Sequence, residues 1–182
     1  LIAANEPVAD LTTLWLDTDP DKWRLMRAGG VSEDYISGNR TPYEKFEKWA
    51  EILPQAMRHP IYHQAHMELN RVFGIGETLK PSNARDIYES CTAKLQTPEY
   101  LPQAILRRLR IETLATTDDP ADSLNAHLAL RETGGVDALH IIPTWAPDRV
   151  LDLRHPEHYN LYLDQLAAAS DTVISTYNDL LT

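Results

Sequence analysis

Cysteine occurs once, at Cys91, so the chain carries no internal disulfide framework and its stability must come from packing. A reducing cytoplasm is the expected home. No charged, apolar, small-residue leader opens the sequence, and no apolar run approaches the roughly 18 to 20 residues that cross a bilayer. A soluble chain without a membrane partner is therefore expected. Basic residues are in short supply: 17 Lys and Arg stand against 27 Asp and Glu, for a formal charge of −10. Nucleic-acid affinity rests on cations that neutralise phosphates, so no nucleic-acid partner is expected. The one tight basic cluster, Arg107, Arg108 and Arg110, reads as a solvated helix end that favours its own C-terminal dipole. Also missing are a nucleophile elbow, a P-loop, a G-x-G-x-x-G and a paired C-x-x-C, and Gly74-Ile75-Gly76 is only a turn. Nucleophilic acyl transfer and nucleotide binding thus find little support.

What is present is the composition of a folded domain. Hydrophobic residues make up 43% and charged residues 24% of 182, far from the regime of disorder. A globular chain of this length buries roughly 70% of its unfolded surface, and one compact unit is the prior. The chain starts Leu1-Ile2-Ala3-Ala4 without an initiator methionine and stops at Thr182 after Leu180-Leu181, so both ends read as cuts.

Periodicity divides the chain near residue 110. Before it, Trp15, Trp23, Trp49 and many Leu and Ile residues recur at spacings of 3 and 4, a helical pattern. Thr41-Pro42-Tyr43-Glu44 joins a hydroxyl cap, Pro at the first helical position and Glu three residues on, and the helix that follows presents Phe46, Trp49, Ile52 and Leu53 on one face. A second helix is expected over 61–73, stopped by Gly74. Ser82 is a candidate cap for a third, and Pro98 or Pro102 stands near the start of a fourth ending near Arg110.

From Ile111 the character changes. Ile111 to Thr116 is short and β-branched and is bounded by Thr117-Asp118-Asp119-Pro120, which reads as a strand running straight into a helix over 120–131. Gly134-Gly135 then makes a turn, Leu139 to Pro143 is a second strand, and a further helix covers about 156–169. Strand, helix, strand implies a parallel pair with a right-handed crossover. The expected organisation is a mainly helical subdomain, 1–110, followed by βα units of a parallel fold, 111–182.

Several segments, in order, resemble the uronate isomerase family of amidohydrolase-like, metal-dependent barrels. They are Leu14-Trp15-Leu16; Lys22-Trp23-Arg24-Leu25-Met26-Arg27 with Gly30-Val31; and Glu44-Lys45-Phe46 with Trp49-Ala50. They continue with Pro60-Ile61-Tyr62-His63, His66, Glu68-Leu69 and Phe73-Gly74-Ile75; Thr116-Thr117-Asp118-Asp119-Pro120 with Asp122, Leu124 and His127; and Pro143-Thr144-Trp145 with Pro147-Asp148. Six matches in one order over nearly the whole chain are hard to explain by chance.

The resemblance implies an α/β fold, part of a (β/α)8 barrel with a large helical subdomain. It implies an isomerase of carbohydrate metabolism that interconverts the aldose and ketose forms of hexuronates such as glucuronate and fructuronate. It also implies a divalent, zinc-like metal in the full-length enzyme. By the same resemblance the His-x-His ligand pair falls before residue 1 and an Asp ligand after Thr182, so no cofactor site is expected within this chain, and the piece is expected to be inactive alone. The substrate-contacting His and Tyr that the resemblance places before Lys22 are here Pro20 and Asp21. The Arg implied between Trp145 and Pro147, which would pair with the substrate carboxylate, is Ala146.

Asp118, Asp119, Trp145 and Asp148 follow strand ends, the face on which barrel enzymes place their sites, and with Asp21 they are the candidate substrate-binding residues. No catalytic residue is singled out. An Asp directly before Pro120 is also what a helix cap looks like, and this capping reading is preferred for Asp119. His63 and His66, and likewise His155 and His158, lie three apart on helical segments, but two ligands without a third make a weak metal site. Satisfied, partly buried histidines are the expected reading. A catalytically degenerate relative acting as a binding or subunit-interaction module is the alternative to an isomerase, and a helical domain alike only in packing is a third. Because a partial barrel leaves a strand edge and apolar faces unpaired, a homo-oligomer is expected.

Overall fold

The computed structural model describes residues 2–132 and 139–181. The chain divides into two compact units, Leu1–Leu106 and Arg107–Thr182.

The first unit is helical, and its helix ends follow from local chemistry. Helix α1 (Leu11–Trp15) starts where Asp10 Oδ1 accepts the Thr13 amide at 2.8 Å. Helix α2 (Pro20–Ala28) has Pro20 at its start and is capped by Asp19, whose carboxylate accepts the Asp21 and Lys22 amides and holds the buried Lys22 ammonium at 2.7 Å. It ends at Gly30, whose φ of 80° suits a residue without Cβ. Helix α3 (Pro42–Ile52) opens on the expected capping box: the Glu44 amide donates to Thr41 Oγ1 at 3.4 Å and the Thr41 amide to Glu44 Oε2 at 2.9 Å.

Helix α4 (Pro60–Arg71) starts one residue earlier than expected, because His59 Nδ1 accepts the Ile61 amide at 3.3 Å and caps it. It stops at Gly74, with φ 68°. Ser82 does not cap α5 (Ala84–Leu95). It sits inside a 3-10 turn, Pro81–Asn83, in which the Asn83 carboxamide takes the Lys80 amide at 2.9 Å and donates to Thr78 O at 3.0 Å. After a second 3-10 turn at Pro98–Tyr100 comes α6 (Pro102–Arg108).

One core serves this unit. Phe46, Trp49 and Leu53 from α3 and its end are fully buried, with Leu11 and Trp15 of α1, Leu69 of α4, and Cys91 and Leu95 of α5. The Phe46 ring lies 6.1 Å from that of Trp15 and 5.2 Å from that of Tyr88. Trp15 donates its indole N–H to Glu68 Oε2 at 2.7 Å, so even the polar edge of this core aromatic is satisfied across 53 residues of sequence.

The second unit has strands β1 (Thr113–Asp118) and β2 (His140–Trp145), helix α7 (Asn125–Glu132) between them, α8 (Pro156–Ser170) and the short α9 (Tyr177–Leu180). The strands pair in parallel, Thr113 with His140 through Asp118 with Trp145, as the strand, helix, strand pattern required. Strand β1 runs two residues further than expected. The helix expected from Pro120 begins at Asn125 instead. Asp119 closes a turn, taking the Ala121 amide on Oδ1 at 2.9 Å and the Asp122 amide on its carbonyl at 2.9 Å, and Ser123 Oγ takes the Asn125 amide at 3.2 Å. The preferred helix cap is thus a turn-capping residue. The expected Gly134-Gly135 turn lies outside the described residues.

The sheet has two strands among the described residues, so the fold shown is a helix-rich α/β arrangement with a small parallel sheet. The core is correspondingly thin: in this unit Leu130 and Tyr162 are the only buried hydrophobics among the described residues, whereas Trp145, Leu151, Leu153 and Val173 are exposed. No helix among the described residues is long and apolar enough to cross a membrane.

Candidate functional site

Both strands of the second unit end at the same place, and four of the five sequence-selected residues gather there. Asp118 and Trp145 are register partners at the last rung, Asp119 follows the first strand, and Asp148 opens the 3-10 turn Asp148–Leu151 after the second. Asp21, the fifth, lies in the first unit, in the first turn of α2, where it pairs with Arg24 at 2.8 Å and is exposed.

Side-chain alternation along a strand sorts the group by face. Leu114, Thr116 and Asp118 are the more buried residues of β1, and their partners Ile141, Pro143 and Trp145 share that face. His127 of α7 reaches the same face, with Nε2 2.8 Å from Thr116 Oγ1 and 3.8 Å from Asp118 Oδ2, and Thr116 donates to Asp118 Oδ2 at 2.7 Å. Thr113, Ala115 and Thr117, with Thr144 beside them, are exposed on the opposite, bare face, and the Thr144 hydroxyl donates to the Thr116 carbonyl. Beyond the strand end the Ala146 amide donates to the Asp118 carbonyl at 3.0 Å.

The two loops are tied to α8 by one residue that the sequence did not single out. Arg149 Nη1 lies 3.2 Å from Asp122 Oδ1 and 3.7 Å from Asp119 Oδ1, and Nη2 donates to Gln165 Oε1 at 2.9 Å. Its guanidinium stacks over the Tyr162 ring at 4.4 Å. Asp119 is the most enclosed of these carboxylates, 8% exposed, and also accepts the Tyr162 hydroxyl at 3.4 Å. Burial, and then the negative charge of Asp119, pushes the Tyr162 phenol up to about 12. Next to this knot, Arg149, Asp152, His155, His158, Tyr159 and Tyr162 line a cleft of about 180 Å³. Arg154 beside Asp152 holds that carboxyl down at about 2. Trp145 stands free, 76% exposed.

The histidine pairs divide differently. In His66, Nδ1 meets the Tyr62 carbonyl at 2.7 Å and Nε2 accepts the Leu79 amide at 3.0 Å, which is a satisfied histidine with no nitrogen left for a metal. The His155 and His158 rings lie 5.6 Å apart at the start of α8. Among the described residues no group of three or more His, Cys, Asp or Glu is placed to hold a metal ion. The ligands that the resemblance implies lie before residue 1 and after Thr182, so no metal site is assigned to the described residues.

A helical unit followed by a unit with a small parallel sheet defines a helix-rich α/β protein. The family model of glucuronate isomerase matches residues 1–182. The chain belongs to that family. It is 42% identical over 182 residues to uronate isomerase of Bacteroides fragilis and 43% identical over 180 residues to that of Solibacter usitatus. The alignments cover 100% and 99% of this chain and 38% of each relative, so the chain spans little more than a third of their length. Among solved structures, uronate isomerase from Thermotoga maritima superposes with a TM-score of 0.85 at 35% identity, covering 99% of this chain and 39% of that one. Glucuronate isomerase from Caulobacter crescentus gives 0.87 at 31%, covering 99% and 38%.

Proposed function

We propose that the whole protein to which these residues belong is an aldose-ketose isomerase of hexuronates, and that this chain supplies part of its scaffold and part of the site mouth. The family match along the entire chain carries the reading. The reaction moves one proton from C2 to C1 of the open-chain aldose through an enediolate and another from the C2 hydroxyl to the C1 oxygen, so the C1 carbonyl becomes a hydroxyl and C2 becomes the carbonyl. A base and a stabiliser of the developing oxyanion are needed. The divalent metal implied by the family resemblance would be held by residues outside this chain.

Within the chain, the proposed architecture is part of a parallel barrel, with the C-terminal ends of β1 and β2 at its mouth. Trp145 and Asp148, both exposed, are the residues available to a sugar: the indole offers an apolar face for ring C–H groups and the carboxylate accepts hydroxyls. Asp118 and Asp119 are engaged by Thr116, Ala121 and Tyr162, and their proposed contribution is to hold the loops that carry the other two. With Ala146 in place of an arginine, β2 contributes no cation for the substrate carboxylate from that position.

The test is turnover by the longest open reading frame containing this sequence, with glucuronate and galacturonate as substrates, before and after reconstitution with divalent metal. Ketouronate formation is expected, with none from the 182-residue chain alone. No turnover of any hexuronate by metal-loaded protein overturns the assignment.

A further inference from the structure

His127 is enclosed, its Nε2 reaches Thr116, and its Nδ1 has no hydrogen-bond partner among the described residues. Proton bookkeeping fixes the state of this ring. The Thr116 hydroxyl has one hydrogen to give and lone pairs to receive. Asp118 Oδ2, 2.7 Å away, only accepts when ionised and lies well inside the other acceptor, the Ile142 carbonyl at 3.4 Å, so the hydroxyl hydrogen goes to Asp118. Nε2 at 2.8 Å must then be the donor to Thr116 Oγ1. A hydrogen on Nδ1 would be a buried donor without an acceptor, so Nδ1 keeps its lone pair. The direct separation of 3.8 Å between Nε2 and Asp118 is too long for a hydrogen bond, and the interaction runs through the hydroxyl.

We infer that His127 is a positioning residue: as the neutral Nε2–H tautomer it drives a relay from α7 through Thr116 to Asp118 that clamps the C-terminal end of β1. The clamp acts on the peptide that matters for the mouth. Asp118 receives the Ala146 amide on its carbonyl, which joins the ends of the two strands, and Asp119 starts the loop knotted by Arg149. With Asp118 held on the α7 face, Thr117 is committed to the bare face. What the clamp does for turnover rests on the isomerase reading, whereas its existence does not.

The experiment therefore needs no substrate. Long-range nitrogen–proton spectra of the uniformly labelled chain at neutral pH are expected to show His127 with a pyrrole-type Nε2 and a pyridine-type Nδ1. The Nδ1–H tautomer, an averaged pair or a doubly protonated ring overturns the relay. In parallel, hydrogen exchange of the Ala146 amide is followed in His127→Leu, Thr116→Val and His127→Gln, since the glutamine amide can replace the Nε2 donor. Exchange about tenfold faster is expected in the Leu and Val variants, with Gln restored to within about twofold of the parent. Equal exchange in all three, or a Gln variant no better than Leu, overturns the clamp. The tautomer is read on the unsubstituted chain, so a variant that fails to fold leaves the test intact. A chain with the expected tautomer whose full-length parent turns over no uronate separates failure of the function from failure of the clamp.

Discussion

Removing Arg149 tests whether the loops beyond β1 and β2 are held by one cation. In Arg149→Ala, Asp119 keeps the Ala121 amide and the Tyr162 hydroxyl but loses its charge partner while only 8% exposed, which costs about 1 to 3 kcal/mol. Loss of the guanidinium from the Tyr162 face adds about 0.5 to 1 kcal/mol for a half-exposed cation. The Asp122 and Gln165 contacts are open to water and add only a few tenths. The expected total is about 2 to 4 kcal/mol, confined to the second unit. Arg149→Lys is expected to recover less than half of it, because an ammonium cannot stack on Tyr162 while reaching two carboxylates and an amide. Asp119→Asn in the Arg149→Ala background is expected to cost far less than in the parent, a coupling of about 1 to 2 kcal/mol. Native-state hydrogen exchange at the Ala121 and Tyr162 amides reads these values locally, at about tenfold per 1.4 kcal/mol. A loss below about 0.5 kcal/mol for Arg149→Ala, a lysine equal to arginine or an additive cycle would refute the single-cation account.

In the first unit, Phe46→Ala is expected to cost about 3 to 5 kcal/mol in urea unfolding followed by tryptophan fluorescence, since the ring is fully buried between Trp15 and Tyr88; a loss under about 1 kcal/mol contradicts that packing. The Tyr162 phenol, pushed up from 10.0 to about 12, binds its proton more tightly folded than unfolded. Its contribution of about 2 to 3 kcal/mol is complete below pH 10 and fades as pH rises towards 12. Tyr162→Phe should flatten that window in an alkaline titration of stability, and an unchanged profile refutes the assignment.

What could be read in the sequence was whatever a few neighbouring residues decide. The Thr41 to Glu44 box, the stop at Gly74, and two β-branched runs around a helix needed only local chemistry, and each is found. The start of α7 was misplaced because Asp119 was expected to cap a helix, while its backbone and Asp122 close a turn that consumes the same amide. Candidate residues at strand ends were legible as positions, but their division between faces required the register of β1 against β2. Arg149 was not legible at all: its partners Asp119 and Tyr162 lie 30 positions before it and 13 after it, and nothing in its own neighbourhood marks it. His66 carried no sign that Leu79 would claim its second nitrogen.

The contrast between a saturated helical core and a strand unit that encloses little more than Leu130 and Tyr162 bears on how this polypeptide fails under heat. The strand termini would let go first, while nearly all the helices that dominate a far-ultraviolet signal are still intact. A melting curve tuned to that signal would then report the endurance of the helical unit and overstate how long the strand ends stay ordered.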